Sequence, residues 1–338
     1  MRFALSTEQL DFAAELRKIL DAGQVPAAVR AWADGDPAKG RSLLRQIAEM
    51  GVFGLIVDEK YDGAGATTVD LVVALIELGR GAAPGPVIES AAVLPALLQR
   101  LPDDAPAQRW LSALASGEAL GTITFEAQRG IALDADIAEP VLVAADGRLT
   151  LGVAAPDALT SIDAARKLFR VTPDELIAEG PEVEAAIDYA FDAGVLACAA
   201  QLLGAGRSIL EQTTSYAKQR KQFGRAIGEF QAVKQQLADV LIALDLAEPL
   251  VYRAALTLES NDRARDVSAA LVACGDAAHR AARVGLQVHG AIGYTAEFDL
   301  SLWLTKVAAL RTAWGTADFH RGRIADALRA AEPAAATS

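Results

Sequence analysis

The residues best suited to holding a charged ligand lie between Ser215 and Lys234, where Lys218, Arg220, Lys221 and Arg225 surround Phe223 and Gly224. Arg220 offers the planar fork of donors that suits a pyrophosphate, Gln222 can add a hydrogen bond, and Phe223 can pack on a planar or adenosine ring. Read from the residues alone, a solvated cationic helix end is the alternative, because cations are at home near helix C-termini. A second stretch, Leu286-Gln-Val-His-Gly-Ala-Ile-Gly-Tyr-Thr295, runs from a helix end into a turn. Its glycines permit close backbone approach to a ligand or to another helix, which makes Gln287 and Gly290 candidate cofactor contacts. His289 is expected to cap or pack, because no triad or metal partner accompanies it. His279 and His320 lack metal-ligand spacing, and no metal site is expected. Gly204-Ala-Gly206 sits inside a helical run with no strand before it, so it permits close helix packing and is no dinucleotide loop.

These segments need a scaffold, and helices are the expected one. The chain has 338 residues, is 52% hydrophobic and only 6% aromatic, which favours close helix packing and two or three structural units. A net charge of -12 argues against a phosphate track for nucleic acid. Cys198 and Cys274 fall in Ala-rich helical runs and read as small core hydrophobes. Neither a leader pattern nor an uninterrupted apolar span of about 18 residues is evident, so a cytoplasmic protein without a membrane segment is expected.

Three regions follow from the periodicity. Residues 1–118 predict a helical domain, with Thr7 capping a helix that carries Leu10, Phe12, Leu16 and Leu20, then helices over Arg41–Met50 and Thr68–Leu78. Residues 119–181 lose the helical period and predict a short β-rich region, with Asp146-Gly147 as a hairpin turn; so small a unit must lean on its neighbours. Residues 182–338 predict a bundle of four helices over 183–218, 229–259, 264–286 and 299–330, the second kinked or divided by Pro249.

Met50-Gly-Val-Phe-Gly-Leu-Ile-Val-Asp-Glu-Lys-Tyr-Asp-Gly-Ala-Gly65, Glu77-Leu-Gly-Arg80 and Ala83-Pro-Gly-Pro86 resemble the N-terminal domain of acyl-CoA dehydrogenases. Gln219-Arg-Lys-Gln-Phe-Gly224, Phe230-Gln-Ala-Val-Lys234 and Gln287-Val-His-Gly-Ala-Ile-Gly-Tyr-Thr295 resemble the C-terminal signatures of that family. The resemblance implies a helical domain, a middle β region and a helical bundle, with FAD as cofactor and an acyl-CoA as substrate. It also implies that Arg220, Gln222, Phe223, Gln287, Gly290 and Ala291, the last replacing a frequent glycine, reach the FAD of a neighbouring subunit.

The family needs a carboxylate to take the α-proton while the β-hydrogen leaves as hydride to the flavin. At the two positions where it keeps that carboxylate, this chain has Trp314, before Gly315-Thr316, and Gly194. Asp192 is turned about 200° away from position 194 on a helix. Glu297 and Asp299 read as exposed or helix-capping. The middle region lacks the segments that cover flavin and thioester, with Glu126 a faint echo. The expected role is that of the shortened subunit of an α2β2 acyl-CoA dehydrogenase, similar to those of bacterial steroid side-chain breakdown, with no catalytic residue of its own. A full-length partner would hold most of the shared FAD, and an electron-transferring flavoprotein would be the acceptor. A homo-oligomer using Asp192, Glu297 or Asp299, and a flavin-free structural or regulatory subunit, are the competing expectations.

Overall fold

The computed structural model describes residues 4–295 and 298–331. Its N-terminal third contains α1 (Thr7–Ala22), α2 (Val25–Ala33), α3 (Ala38–Glu49), α4 (Thr68–Arg80), α5 (Leu94–Leu98) and α6 (Ala105–Ala115). Ser6, and not Thr7, caps α1: its hydroxyl accepts from Gln9 N, and the Gln9 side chain returns a bond to Ser6 N. The one-residue difference follows from the reciprocal bonds, which require the acceptor three residues before the glutamine. Thr67 and Asp70 make the same arrangement at α4. A π-helical turn over Glu89–Val93 runs directly into α5.

Next come β1 (Thr122–Phe125), β2 (Ile131–Leu133), β3 (Val141–Ala145), β4 (Arg148–Leu159) and β5 (Leu168–Glu179), in the order β1-β3-β4-β5-β2. Asp146 (φ 52°) and Gly147 (φ 67°) form the expected tight turn between β3 and β4. The two 12-residue strands β4 and β5 are longer than the short runs their sequence suggests, because their far halves are largely exposed and carry little apolar alternation. Ile123, Phe125, Leu142, Ala144 and Leu149 join the main core, so the sheet does lean on the helices.

α7 (Pro181–Gln219) is the axis of the molecule and packs against α4, α8, α9 and α10. It is long and apolar enough to cross a membrane, yet its most apolar 18-residue window is 89% buried within the fold, as befits a core helix. The hairpin strands β6 (Lys221–Gln222) and β7 (Arg225–Ala226) follow, then α8 (Gln231–Leu256), α9 (Arg263–His289), α10 (Leu300–Ala313) and α11 (Ala317–Ala331). Pro249 does not divide α8. Asp245, whose carbonyl loses the donor that proline lacks, is exposed and can meet solvent instead. The last predicted segment is two helices rather than one, because Trp314 leaves helical geometry and Gly315 adopts φ 103°.

Gly204 explains how α7 sits so close to α4: a Cβ there would stand 1.9 Å from the Ile76 carbonyl oxygen. Both cysteines are fully buried, and burial raises the Cys198 thiol to about 12. They serve as core residues, as their helical surroundings suggest.

Candidate functional site

The two candidate ligand segments meet at one end of the bundle. Tyr216, a turn before Arg220 on α7, stacks on His289 at the end of α9 with ring centroids 4.2 Å apart. Phe298 closes the same aromatic cluster, 5.2 Å from the His289 ring. His289 Nδ1 lies 2.7 Å from the Gly285 carbonyl, which can only accept, so the proton is on Nδ1. Burial lowers the pKa of this ring and keeps it neutral. His289 is thus a packing residue that joins the two segments.

From this base the hairpin of β6 and β7 projects outward. Phe223 (φ 51°) and Gly224 (φ 81°) form its tip, and Phe223 is 93% exposed. Arg225 lies over the Phe230 ring at 4.2 Å, which holds the hairpin against the start of α8. Arg220 and Gln222 are exposed beside the tip, as are Gln287, Gly290 and Ala291 across the aromatic cluster. Gly290 has φ 65°, and nothing stands within 4 Å of where its Cβ would be. The six candidates are therefore gathered on one outward-facing end, with an open backbone approach and, among the described residues, no ion pair on the Arg220 guanidinium fork. The chemistry of that donor set, a guanidinium fork, an amide and open backbone, fits a dinucleotide pyrophosphate.

The interior tells a different story. Trp314 is fully buried, and a Cβ at Gly194 would stand 2.2 Å from its Cζ3. The two positions at which the resemblance expects a carboxylate thus fill one another: glycine on α7 makes the space that the indole occupies. Phe125 and Phe191 pack on the indole at 5.8 Å and 6.0 Å, and His320 Nε2 donates to the Trp314 carbonyl at 2.8 Å.

The other candidate carboxylates that are described lie elsewhere in the fold. Asp192 is 1% exposed and receives Arg263 Nε on one oxygen at 2.8 Å and Arg323 on the other at 2.6 Å. It ties α7 to α9 and α11 and has no lone oxygen aimed at a ligand. Asp299 precedes α10 and pairs with Arg30 at 2.7 Å, half exposed. Its side chain makes no capping bond. Glu297 lies outside the described residues. Glu126 is exposed in the turn after β1.

One polar group escaped the sequence reading. Glu89, Asp134, Asp163 and Lys306 are each at most 4% exposed, and they cluster with Arg166 between the π-helical turn, the sheet and α10. Their separation along the chain hides the cluster; the sole local signal is an acidic residue inside the apolar run Val87-Ile-Glu-Ser-Ala-Ala-Val93.

The acyl-CoA dehydrogenase N-terminal domain family matches residues 6–118, and the acyl-CoA dehydrogenase C-terminal domain family matches residues 185–329. The acyl-CoA dehydrogenase IpdE2 of Mycobacterium tuberculosis is 32% identical over 283 residues, 83% of this chain and 85% of that protein. The fold matches a chain of the ChsE4-ChsE5 complex from Mycobacterium tuberculosis with a TM-score of 0.82 at 24% identity, covering 99% of this chain and 100% of that one. It also matches the Tcur3481-Tcur3483 steroid ACAD with a TM-score of 0.81 at 24% identity, covering 96% of this chain and 99% of that one.

Proposed function

Because the chain belongs to the acyl-CoA dehydrogenase family, we propose that it is one subunit of a heteromeric, FAD-dependent acyl-CoA dehydrogenase and completes a flavin site held mainly by a full-length partner. The observation that carries this reading is the Gly194–Trp314 pair, which packs an indole where a proton-accepting carboxylate would be needed. The base then comes from the partner. The resemblance to chains of a ChsE4-ChsE5 complex and of a steroid ACAD supports an α2β2 assembly acting on a bulky acyl-CoA such as a steroid side-chain thioester. An electron-transferring flavoprotein is the proposed acceptor.

When bound, FAD supplies the hydride acceptor of an α,β-dehydrogenation. This chain's contribution is to hold and orient it. With FAD bound, Arg220 would offer its guanidinium fork to the pyrophosphate, Gln222 would add a hydrogen bond, and Phe223 would pack on a planar ring. Gln287 and the backbone at Gly290 and Ala291 would contribute from the other side of the aromatic cluster. Burying the exposed Phe223 ring on assembly contributes about 2 kcal/mol, enough to favour docking of the hairpin without fixing the complex by itself.

Co-expression with the acyl-CoA dehydrogenase encoded beside it tests this. One FAD per two chains in the purified pair, with none on the chain alone, is the expected result. Arg220→Ala in this chain should lower FAD retention by the pair by about ten-fold or more. A lone chain that carries a full complement of FAD and oxidises an acyl-CoA would overturn the reading. Unchanged flavin content in the Arg220→Ala pair would favour a purely structural subunit.

A further inference from the structure

Between α4, α5, α7 and the loop that joins α8 to α9 lies a cavity of about 490 Å³. Its inner part is buried and apolar, lined by Leu71, Val72 and Leu75 of α4, Ala96 of α5, and Ala193 and Ala197 of α7. The alanines leave open a space that larger side chains would fill, whereas helix interfaces ordinarily close to the density of an organic crystal. They lie on a different side of α7 from Gly194, which meets Trp314.

The mouth is polar. Glu259, in the α8–α9 loop, accepts from Tyr189 Oη and from Arg100 Nη2, each at 2.5 Å and both on Oε1. Its Oε2 has no protein partner among the described residues and is left for a ligand. The Arg100 guanidinium lies 3.4 Å above the Tyr189 ring, which steadies the two donors that hold Glu259. Burial alone would raise the Glu259 pKa, but the Tyr189 bond and the Arg100 charge bring it below its ordinary value and keep it ionised. Asp58 is the second carboxylate at the mouth, exposed and without an ion pair among the described residues. Gln99 ties its segment to α5, accepting from Asp58 N at 2.8 Å and donating to the Ile56 carbonyl at 3.0 Å. Because Arg100 is already matched by Glu259, the charged residues lining the cavity leave a net negative mouth.

We propose that this cavity binds an apolar amine, with a hydrocarbon body in the alanine-lined interior and its ammonium group at the mouth, where Glu259 Oε2 and Asp58 accept from it. An apolar interior with a few fixed polar groups at its entrance is the usual form of a small-molecule site. An ammonium carries three donors and no acceptor, which matches a mouth whose open positions are carboxylate oxygens. A carboxylate head group would meet two like charges there, and an alcohol would gain a hydrogen bond without the charge.

Titration calorimetry of the full chain with octylammonium, 1-octanol and octanoate tests the proposal, since the three share a hydrocarbon chain and differ in the charge of the head group. Octylammonium should bind about five-fold more tightly than octanol, the size of an exposed ion pair, and octanoate should bind least. Added salt should narrow that gap in the unchanged sequence, which needs no variant. Glu259→Gln combined with Asp58→Asn, both at exposed positions, should bring octylammonium within about two-fold of octanol. Ala193→Phe, which fills the interior without removing a carboxylate, should weaken octylammonium and octanol together. Equal affinities for the amine and the alcohol, octanoate binding as tightly as either, no binding of any probe, a gap indifferent to salt, or a preference that survives the paired substitution would overturn it. These measurements need neither flavin nor partner, so they can fail while the shared-flavin reading stands, and the reverse.

Discussion

Asp134 receives Trp32 Nε1 on one oxygen at 3.1 Å, while its Oδ2 has no partner among the described residues. Burial raises its pKa to about 7. In the unfolded chain an aspartate titrates near 3.9, so between about pH 4 and pH 7 the folded state holds a proton that the unfolded state has lost. Stability from this group is therefore fully present below about pH 4 and is lost as pH rises toward 7. Glu89, also raised by burial, acts with the same sign, and Lys306, lowered by burial, acts with the opposite sign at higher pH. Asp134→Asn, which keeps the shape and the Trp32 bond, should flatten the decline in melting temperature between pH 4 and 7. An unchanged slope would place the proton elsewhere. At this scale the sequence shows neighbours where they are local: Arg220 ends α7 and leads directly into the hairpin that carries Gln222 and Phe223. It was not readable for Glu89, whose surroundings at Asp134, Asp163, Arg166 and Lys306 come from three separate parts of the chain.

Helix contacts depend on where side chains are missing. Gly204 touches the backbone of α4 at Ile76, and Gly79 returns the contact, since its Cβ would stand 2.2 Å from the Gln201 carbonyl oxygen. Backbone cannot move aside as a flexible side chain can, so Gly204→Ala should destabilise the chain by about 1–3 kcal/mol despite alanine's better helix propensity. Gly322 on α11 is the control, because nothing lies near its Cβ direction; there the same change should stabilise by about 0.5–1 kcal/mol. Urea midpoints of the two variants should move in opposite directions, and a shared direction would refute the packing argument. The glycines inside α7 announced close approach in the sequence, but not which helix they approach. The break between α10 and α11 was missed because Trp314 is apolar and continues the helical pattern, leaving Gly315 alone to signal it. The lengths of β4 and β5 were missed for a related reason: exposed strands carry no burial pattern to read.

One continuous core runs from Leu16 in α1 to Trp314 after α10, with a small satellite of Ala132, Ala135, Val143, Phe169 and Val171 inside the sheet. The fluorescence of Trp32, Trp110, Trp303 and Trp314, which samples both helical regions, should therefore change at the same denaturant concentration as far-UV circular dichroism. Two separated transitions would mean that the N-terminal helices and the bundle unfold independently. The general architecture was legible in the order of motifs and in the change from helical to alternating periodicity, because these reflect the whole chain rather than any one contact. The Gly194–Trp314 pair carries a further meaning at this scale. A carboxylate restored at 194 would collide with the indole, and one restored at 314 would exchange the indole for a void costing about 3–5 kcal/mol. Either change alone is costly, so the two residues lock one another in place, and on the proposed reading that lock leaves proton abstraction to the partner.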